Sequence, residues 1–133
     1  MTVGASSQSG HVGAVPHVLV VDDEADILEF VSLALELSGY TVATARNGQE
    51  ALQELAQQSA DLILLDLNMP VMDGHRFCEE KRRHPELDPI PLALMSAAEN
   101  LGGRATPCTP VVELSKPFTL DALLDGVAAA LAA

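Results

Sequence analysis

The stretch DLILLDLNMPVMDG, residues 61–74, decides the fold of this chain. Within it, residues 62–67 are apolar on both alternations apart from Asp66, a pattern typical of a parallel strand that is covered on both faces. The run ends in Asp66 and is followed by turn-forming residues up to Gly74. A carboxylate at the end of a buried strand costs free energy unless a charged group meets it. Asp66 therefore predicts charged partners from elsewhere in the chain.

Strand-like and helix-like segments alternate on both sides of this stretch. Ile27, Val31 and Leu35 recur at a spacing of four, which indicates an amphipathic helix, and Gly39 stands where that helix would end. The predicted strands are 17–21, 40–45, 62–67, 90–96 and 111–115, and the predicted helices cover 22–39, about 47–56, 74–83 and 119–133. Asn47 with Glu50 resembles a capping box at the start of the second helix. The alternation predicts a parallel sheet with helices on both faces.

The overall composition predicts one globular domain. The chain has 133 residues, of which 48% are hydrophobic, and this excludes a disordered chain. Acidic residues number 19 against 7 basic ones, giving a net charge of −12, which argues against nucleic acid as a direct partner. Most of the acidic excess is interpreted as a solvated surface.

The termini, apolar runs and cysteines predict a cytoplasmic protein. Residues 1–16, rich in Gly, Ser and small residues, are expected to be a flexible N-terminal tail before a domain over 17–133. No apolar run approaches the roughly 18 residues of a membrane helix, and the N-terminus lacks the pattern of a signal peptide. Cys78 and Cys108 show neither metal-ligand spacing nor a disulfide framework, which favours a reducing compartment.

The residues at the predicted strand ends predict a functional site. No Gly-rich phosphate loop follows the first strand, which argues against a dinucleotide fold or a P-loop. Sites in parallel sheets lie beyond the carboxyl ends of the strands. The residues found there are Asp22, Asp23, Asp66, Ser96 and Lys116. They are expected to meet at one edge of the sheet.

These side chains suit phosphoryl transfer. Three carboxylates repel one another and raise one another's pKa, and a divalent cation would remove that conflict. Oxygen ligands without His or Cys favour Mg²⁺ or a similar hard ion such as Mn²⁺. Lys116 adds a mobile positive charge and Ser96 a hydroxyl donor. A carboxylate nucleophile, a metal, a cation and a hydroxyl are the parts that phosphoryl transfer needs.

Four motifs in order carry a family resemblance: VVDDE at 20–24, LLDLNMPVMDG at 64–74, LALMSA at 92–97 and SKPF at 115–118. Together they resemble the receiver domains of two-component response regulators, over about residues 17–131. The resemblance implies an α/β, flavodoxin-like fold, a doubly wound five-stranded parallel sheet in the order 2-1-3-4-5.

The resemblance also implies how the acidic residues act. Asp66 is similar to the phosphoacceptor of the family. Asp23 resembles the direct metal ligand, and Asp22 helps to hold the metal, often through water. Asp66 itself and the backbone carbonyl of Asn68 complete the implied metal site.

The remaining site residues are implied in the same way. Ser96 resembles the switch hydroxyl that bonds the phosphoryl group, and Lys116 the lysine that pairs with it. The resemblance implies a cis peptide bond between Lys116 and Pro117, which would aim the lysine inward. Ala97, a small residue, fits the family's need for open access beside Asp66.

Each residue taken alone also has a structural interpretation. Asp22 and Asp23 in isolation favour capping of the first helix, where acids suit the dipole. Ser96 alone would be the end of a strand, and Lys116 alone a surface lysine. Their joint placement favours a site. The basic residues of the third helix, Arg76, Lys81, Arg82 and Arg83, are interpreted as a solvated face, with contact to an acidic partner as the lesser alternative.

Two features depart from the family pattern. The segment 99–110, where a fourth helix is expected, contains two glycines and two prolines, which cost about 1 and about 3 kcal/mol each in a helix interior. This helix is therefore predicted to be short, distorted or missing. Glu113 stands where the family usually carries an aromatic switch residue, so the readout surface is expected to be altered.

The leading interpretation is a phosphoacceptor switch rather than a separate enzyme, with self-catalysed phosphorylation and dephosphorylation. A sensor histidine kinase or a histidine phosphotransfer protein would supply the phosphoryl group, and a downstream protein would read the conformational change. The chain ends at the last helix, so no output domain is expected, although an excised receiver is equally compatible. A phosphorylation-independent interaction module is the main alternative. A phosphohydrolase ranks behind it, because Asn68 stands where such enzymes place a general acid.

Overall fold

Parallel pairing of five strands organises the chain in the computed structural model, which describes residues 15–66, 74–97 (Ala97 by its backbone alone) and 109–133. The elements in chain order are β1 (His17–Val21), α1 (Ala25–Leu37), β2 (Thr41–Ala45), α2 (Gly48–Gln57), β3 (Leu62–Asp66), α3 (Gly74–Arg83), β4 (Leu92–Ala97), β5 (Val112–Lys116) and α4 (Leu120–Ala132). The strand order is β2-β1-β3-β4-β5, with every pair parallel. The predicted sheet is confirmed.

Two predictions fall largely outside the described residues. The flexible tail was predicted for 1–16, and the structure describes only residues 15 and 16 of it. The distorted or missing helix was predicted over 99–110, of which only residues 109 and 110 are described. The element named α4 here is the final helix of the chain. Both predictions stay predictions.

Strand β3 lies at the centre of the sheet, and for this reason each of its five residues is buried. Its side chains alternate between two apolar layers. Ile63 and Leu65 pack in the layer that α2 and α3 cover. Leu62 and Leu64 pack in the layer that α1 and α4 cover. A strand covered on both faces explains why the sequence over 62–65 is continuously apolar.

Helix α1 ends in a glycine cap. Gly39 has a φ of +99°, a left-handed conformation that L-residues with a Cβ rarely adopt. Its N–H bonds the carbonyl of Glu36, and the N–H of Tyr40 bonds the carbonyl of Leu35. This pair of bonds is the Schellman arrangement, and it turns the chain from α1 into β2.

Gly39→Ala is expected to lower the free energy of unfolding by about 1–2 kcal/mol. The loss would come from the backbone, because a Cβ at this position would meet no atom within 4 Å. Urea denaturation measures the change. Ser38→Ala, in the same turn at φ −91°, is the control and should change stability by less than about 0.5 kcal/mol. Equal stability of Gly39→Ala and wild type would contradict this account.

The start of α2 differs in one bond from the predicted capping box. Asn47 is the N-cap, and its side chain accepts from the N–H of Glu50, as a capping box requires. The Glu50 carboxylate, however, accepts from the N–H of Arg46 and not from that of Asn47. The helix start was predicted correctly, with the return bond shifted by one residue.

Helix α3 corrects two interpretations of the sequence. Lys81, assigned to a solvated basic face, is only 8% exposed, and its Nζ donates to the carbonyl of Asp88 at 2.7 Å. Burial lowers the pKa of Lys81, against the opposing charge of Asp88. Cys78, for which no disulfide was expected, is buried and disulfide-bonded. The sequence has one other cysteine, Cys108, which lies outside the described residues.

No helix in the described part of the chain is long and apolar enough to cross a membrane. The longest, α1 and α4, have 13 residues each.

Candidate functional site

The carboxyl ends of three strands bring the candidate residues together. Asp22 follows β1 directly, Asp66 is the last residue of β3, and Lys116 is the last residue of β5. The N–H of Asp22 bonds the carbonyl of Ala45 at 3.0 Å, which extends the β1–β2 pairing by one residue. Because the strands are parallel, their ends share one edge of the sheet, as the sequence predicted.

Three carboxylates form the centre of this edge. Oxygen atoms of Asp22, Asp23 and Asp66 all lie within 4.8 Å of one another. Asp22 is fully buried and Asp66 is 5% exposed, whereas Asp23 faces solvent. Two of the three carboxylates are therefore shielded from water, and the lost solvation of their charge has to be offset by protein groups or by a bound cation.

Lys116 supplies positive charge to this acidic edge. Its Nζ donates to Asp22 Oδ2 at 2.6 Å and to Glu24 Oε1 at 3.1 Å. The same Nζ lies 3.7 Å from Asp66 Oδ2. Its side chain is only 15% exposed, so water screens these charges less than it would at an open surface.

The pKa shifts indicate that one ammonium does not balance the carboxylates. Burial raises the pKa of Asp22, although hydrogen bonds from Lys116 and from the N–H of Glu24 act in the opposite direction. Burial alone would lower the pKa of Lys116, but the hydrogen bond and charge of Asp22, with the charge of Asp66, outweigh it and raise that pKa. Among the described residues, the carboxylates of Asp22, Glu24 and Asp66 lie within 4 Å of this one ammonium. Further positive charge would stabilise the ionised site.

The donor set fits a hard divalent cation. Asp22, Asp23 and Asp66 each offer a carboxylate oxygen, and the three oxygens are close enough to surround one ion. Oxygen-only donors with an exposed member suit Mg²⁺, which prefers one or two carboxylates and retains several waters. The interpretation of Asp22 and Asp23 as simple caps fits less well. The N-cap of α1 is Glu24, whose own side chain makes no capping hydrogen bond, and Asp22 Oδ1 accepts only from the N–H of Glu24, ahead of the first helical turn.

The hydroxyl of Ser96 lacks a hydrogen-bond partner in the described part of the chain. The residue is 1% exposed, and its Oγ makes no hydrogen bond among the residues that the structure describes. In the β3–β4 pairing, Asp66 is opposite Met95, so Ser96 lies one residue beyond that pair. A buried hydroxyl without a partner costs free energy, and an acceptor that arrives at the strand ends would offset this cost.

The other predicted site residues are placed in part. The Lys116–Pro117 peptide bond is cis. Ala97 ends β4, and its backbone pairs with Lys116 of β5. Glu113 lies on β5 opposite Leu94 and is exposed. Asn68, the implied carbonyl ligand, lies outside the described residues.

Glu24 is the contact that the sequence did not reveal. It follows the acidic pair, and its side chain is 60% exposed while its carboxylate bonds Lys116. The two residues are 92 positions apart in sequence, so no local spacing pairs them. A third acid in the motif VVDDE was the only signal, and it was equally compatible with a favourable charge at the start of α1.

The fold and the acidic edge define the class of protein. The family model described as the response regulator receiver domain matches residues 18–128. The chain therefore belongs to the response regulator receiver family, whose members act in two-component signalling with sensor histidine kinases. The resemblance stated from the four motifs is confirmed.

Particular relatives support this assignment. The chain is 38% identical over 118 residues to the transcriptional regulatory protein PrrA of Mycobacterium tuberculosis, covering 87% of this chain and 50% of PrrA. It thus spans about half the length of that relative. The chemotaxis response regulator CheY4 of Vibrio cholerae superposes with a TM-score of 0.76 at 30% identity, covering 86% of this chain and 98% of CheY4.

A third likeness concerns the fold alone. The receiver domain of sensor histidine kinase PA1611 from Pseudomonas aeruginosa superposes with a TM-score of 0.81 at 24% identity. The two structures share 90% of this chain and 100% of that domain. The PA1611 structure contains a magnesium ion coordinated in its active-site cleft.

Proposed function

We propose that this chain accepts a phosphoryl group from a phosphohistidine donor onto Asp66 and thereby changes conformation to signal to a partner protein. The observation that carries the proposal is the grouping of Asp22, Asp23 and Asp66 within 4.8 Å, with the Lys116 ammonium against them. A nucleophilic carboxylate, metal ligands and a cation are the parts that this chemistry requires.

In the proposed reaction, a carboxylate oxygen of Asp66 attacks the phosphorus atom in line with the histidine nitrogen. The O–P bond forms as the P–N bond breaks, and the electron pair of that bond leaves with the imidazole. The product is an acyl phosphate on Asp66 and, after the departing imidazole takes a proton from water, a neutral histidine on the donor. Asp66 is 5% exposed, so a donor must approach it from the carboxyl edge of the sheet.

The remaining side chains would stabilise charge on the transferred group. Mg²⁺, held by Asp22, Asp23 and Asp66, would supply positive charge to the phosphoryl oxygens. Lys116 would donate to one of these oxygens, since its Nζ is already 3.7 Å from Asp66. The hydroxyl of Ser96, which makes no hydrogen bond to any described residue, would donate to another. Each interaction strengthens as charge develops, which is how preorganised donors lower a barrier.

The acyl phosphate would then act as a switch. New bonds from Ser96 and Lys116 to the phosphoryl group exist only in the phosphorylated form, so they favour the conformation that makes them. Hydrolysis of the acyl phosphate by water would restore Asp66 and the resting state. The chain in this account catalyses its own phosphorylation and dephosphorylation.

Transfer from a protein donor tests the proposal. A histidine kinase or phosphotransfer protein carrying ³²P on histidine is mixed with the chain and Mg²⁺, and both proteins are followed on a gel. Label should move to this chain as the donor loses it. If histidine-phosphorylated donors do not label a chain that is folded and binds Mg²⁺, a phosphorylation-independent interaction module on a receiver fold becomes the better account.

Mg²⁺ is expected to stabilise the fold. Binding to the folded state alone adds about 1.4 kcal/mol at a free Mg²⁺ concentration about ten times the dissociation constant. Urea denaturation with and without Mg²⁺, at matched ionic strength, measures this gain. Asp23→Asn should remove most of it, because the exposed Asp23 carboxylate belongs to the acidic trio of Asp22, Asp23 and Asp66. Asp26→Asn, in the first turn of α1, should keep it. An equal gain in Asp23→Asn would exclude Asp23 as a ligand.

A further inference from the structure

We propose that Glu24 is a positioning residue, which holds the Lys116 ammonium away from Asp66 in the resting protein and so slows phosphoryl acceptance. This inference rests on the proposed function, because it concerns the rate of the same reaction. It assigns a role to a side chain that lies outside the acidic trio.

The Lys116 ammonium is closer to two other carboxylates than to that of Asp66. Its Nζ is within hydrogen-bond distance of Asp22, at 2.6 Å, and of Glu24, at 3.1 Å. The distance to Asp66, at 3.7 Å, is longer than the usual range for an N–H···O bond. An ammonium has three donors. Two of the donors on Lys116 are therefore engaged by carboxylates other than the phosphoacceptor.

The two hydrogen-bond partners of Lys116 differ in burial. Asp22 is fully buried, whereas the Glu24 side chain is 60% exposed. The Glu24 carboxylate can leave Lys116 and be solvated by water. The buried Asp22 carboxylate would lose its charge partner without gaining water, at a cost in free energy. Glu24 is therefore the partner of Lys116 that can be released when a phosphoryl group arrives.

Glu24 and the incoming phosphoryl group compete for the Lys116 ammonium. The phosphoryl group on Asp66 needs the donors of Lys116 most strongly in the transition state, as negative charge develops on its oxygens. The Nζ atom is 3.7 Å from Asp66, so the ammonium has to move toward the phosphoryl group, and this movement weakens its bond to Glu24. Removing the charge of Glu24 should therefore speed phosphorylation. The expected effect is about two- to fivefold, the size that release of one exposed ion pair allows.

Glu24→Gln tests this inference in the full chain with acetyl phosphate and Mg²⁺. The rate of mass gain should rise by about two- to fivefold over wild type. Asp26→Asn is the matched control, because it removes one exposed negative charge two residues away, and the ion pairs of Lys116 in the described part of the chain do not include Asp26. Equal rates in Glu24→Gln and wild type, or an equal rise in both variants, would overturn the inference.

A second readout reports the contact itself in metal-free protein. The sequence has two lysines, Lys81 and Lys116, so ¹⁵N NMR of the side-chain ammonium groups gives a spectrum of two signals. Glu24→Gln should move the Lys116 signal and leave that of Lys81 in place. Asp26→Asn should leave both in place. A Lys116 signal that does not move would overturn the inference, whatever the rates.

The phosphorylation assay separates failure of the inference from failure of the proposed function. A wild-type chain that gains no phosphoryl group contradicts the proposed function, and the rate effect of Glu24 falls with it. A wild-type chain that gains the group at the same rate as Glu24→Gln leaves the proposed function intact and contradicts only the role of Glu24.

Discussion

Asp66→Asn is expected to abolish phosphoryl acceptance from both acetyl phosphate and a phosphohistidine donor. An amide oxygen is neutral and a poor nucleophile, so the O–P bond cannot form at a useful rate. The change preserves shape at a residue that is 5% exposed, so the fold should survive. Intact-mass measurement after incubation with donor and Mg²⁺ should show no mass gain in the variant.

The control for Asp66→Asn is an exposed aspartate treated in the same way. Asp121, in the first turn of α4, lies outside the acidic trio. Asp121→Asn should gain the phosphoryl group at the wild-type rate. A gain in Asp66→Asn equal to that of Asp121→Asn would mean that another residue accepts the group.

Lys116→Met is expected to slow phosphorylation by about 10²–10³-fold, the usual effect of removing one preorganised donor to developing negative charge. Methionine keeps much of the length of the side chain but has no donor. The change also removes the ion pair with the buried Asp22, so measurements are made at saturating Mg²⁺. Mass gain against time gives the rate.

Arg46→Met is the control for the loss of a positive charge, because Arg46 is exposed and pairs with Glu50 on α2. Its phosphorylation rate should match that of wild type. Urea denaturation of both variants checks that each is folded under the assay conditions. A folded Lys116→Met protein that is phosphorylated at the wild-type rate would contradict the role of Lys116.

The sheet was predictable from the sequence because its strongest signal is local. Residues 62–65 are apolar on both alternations, and only a strand covered on both faces makes that arrangement favourable. The meeting of Asp22 and Asp66 followed from the same reasoning, since the ends of neighbouring parallel strands share an edge. To predict that Lys116 lies near these two aspartates, the order of all five strands was needed. The motifs implied this order, and the structure confirms it.

Contacts made by long side chains were not predictable. Lys81 stands among basic residues of a polar helix, and nothing near it in sequence indicates that its ammonium reaches the carbonyl of Asp88. Glu24 reaches Lys116 across 92 positions. In both cases the partner of a flexible side chain depends on the tertiary structure around it, so periodicity and spacing in the sequence do not identify that partner.

Localisation of the phosphoryl group on wild-type chain tests the central claim most directly. The chain is phosphorylated with acetyl phosphate and Mg²⁺, treated with borohydride to reduce the acyl phosphate to an alcohol, digested and analysed by mass spectrometry. The account predicts a modified residue at Asp66, no modification when Mg²⁺ is omitted, and loss of the group on hydroxylamine treatment. A hydroxylamine-resistant phosphoryl group on Ser96 or another hydroxyl, or no gain by folded and Mg²⁺-bound chain, would contradict it.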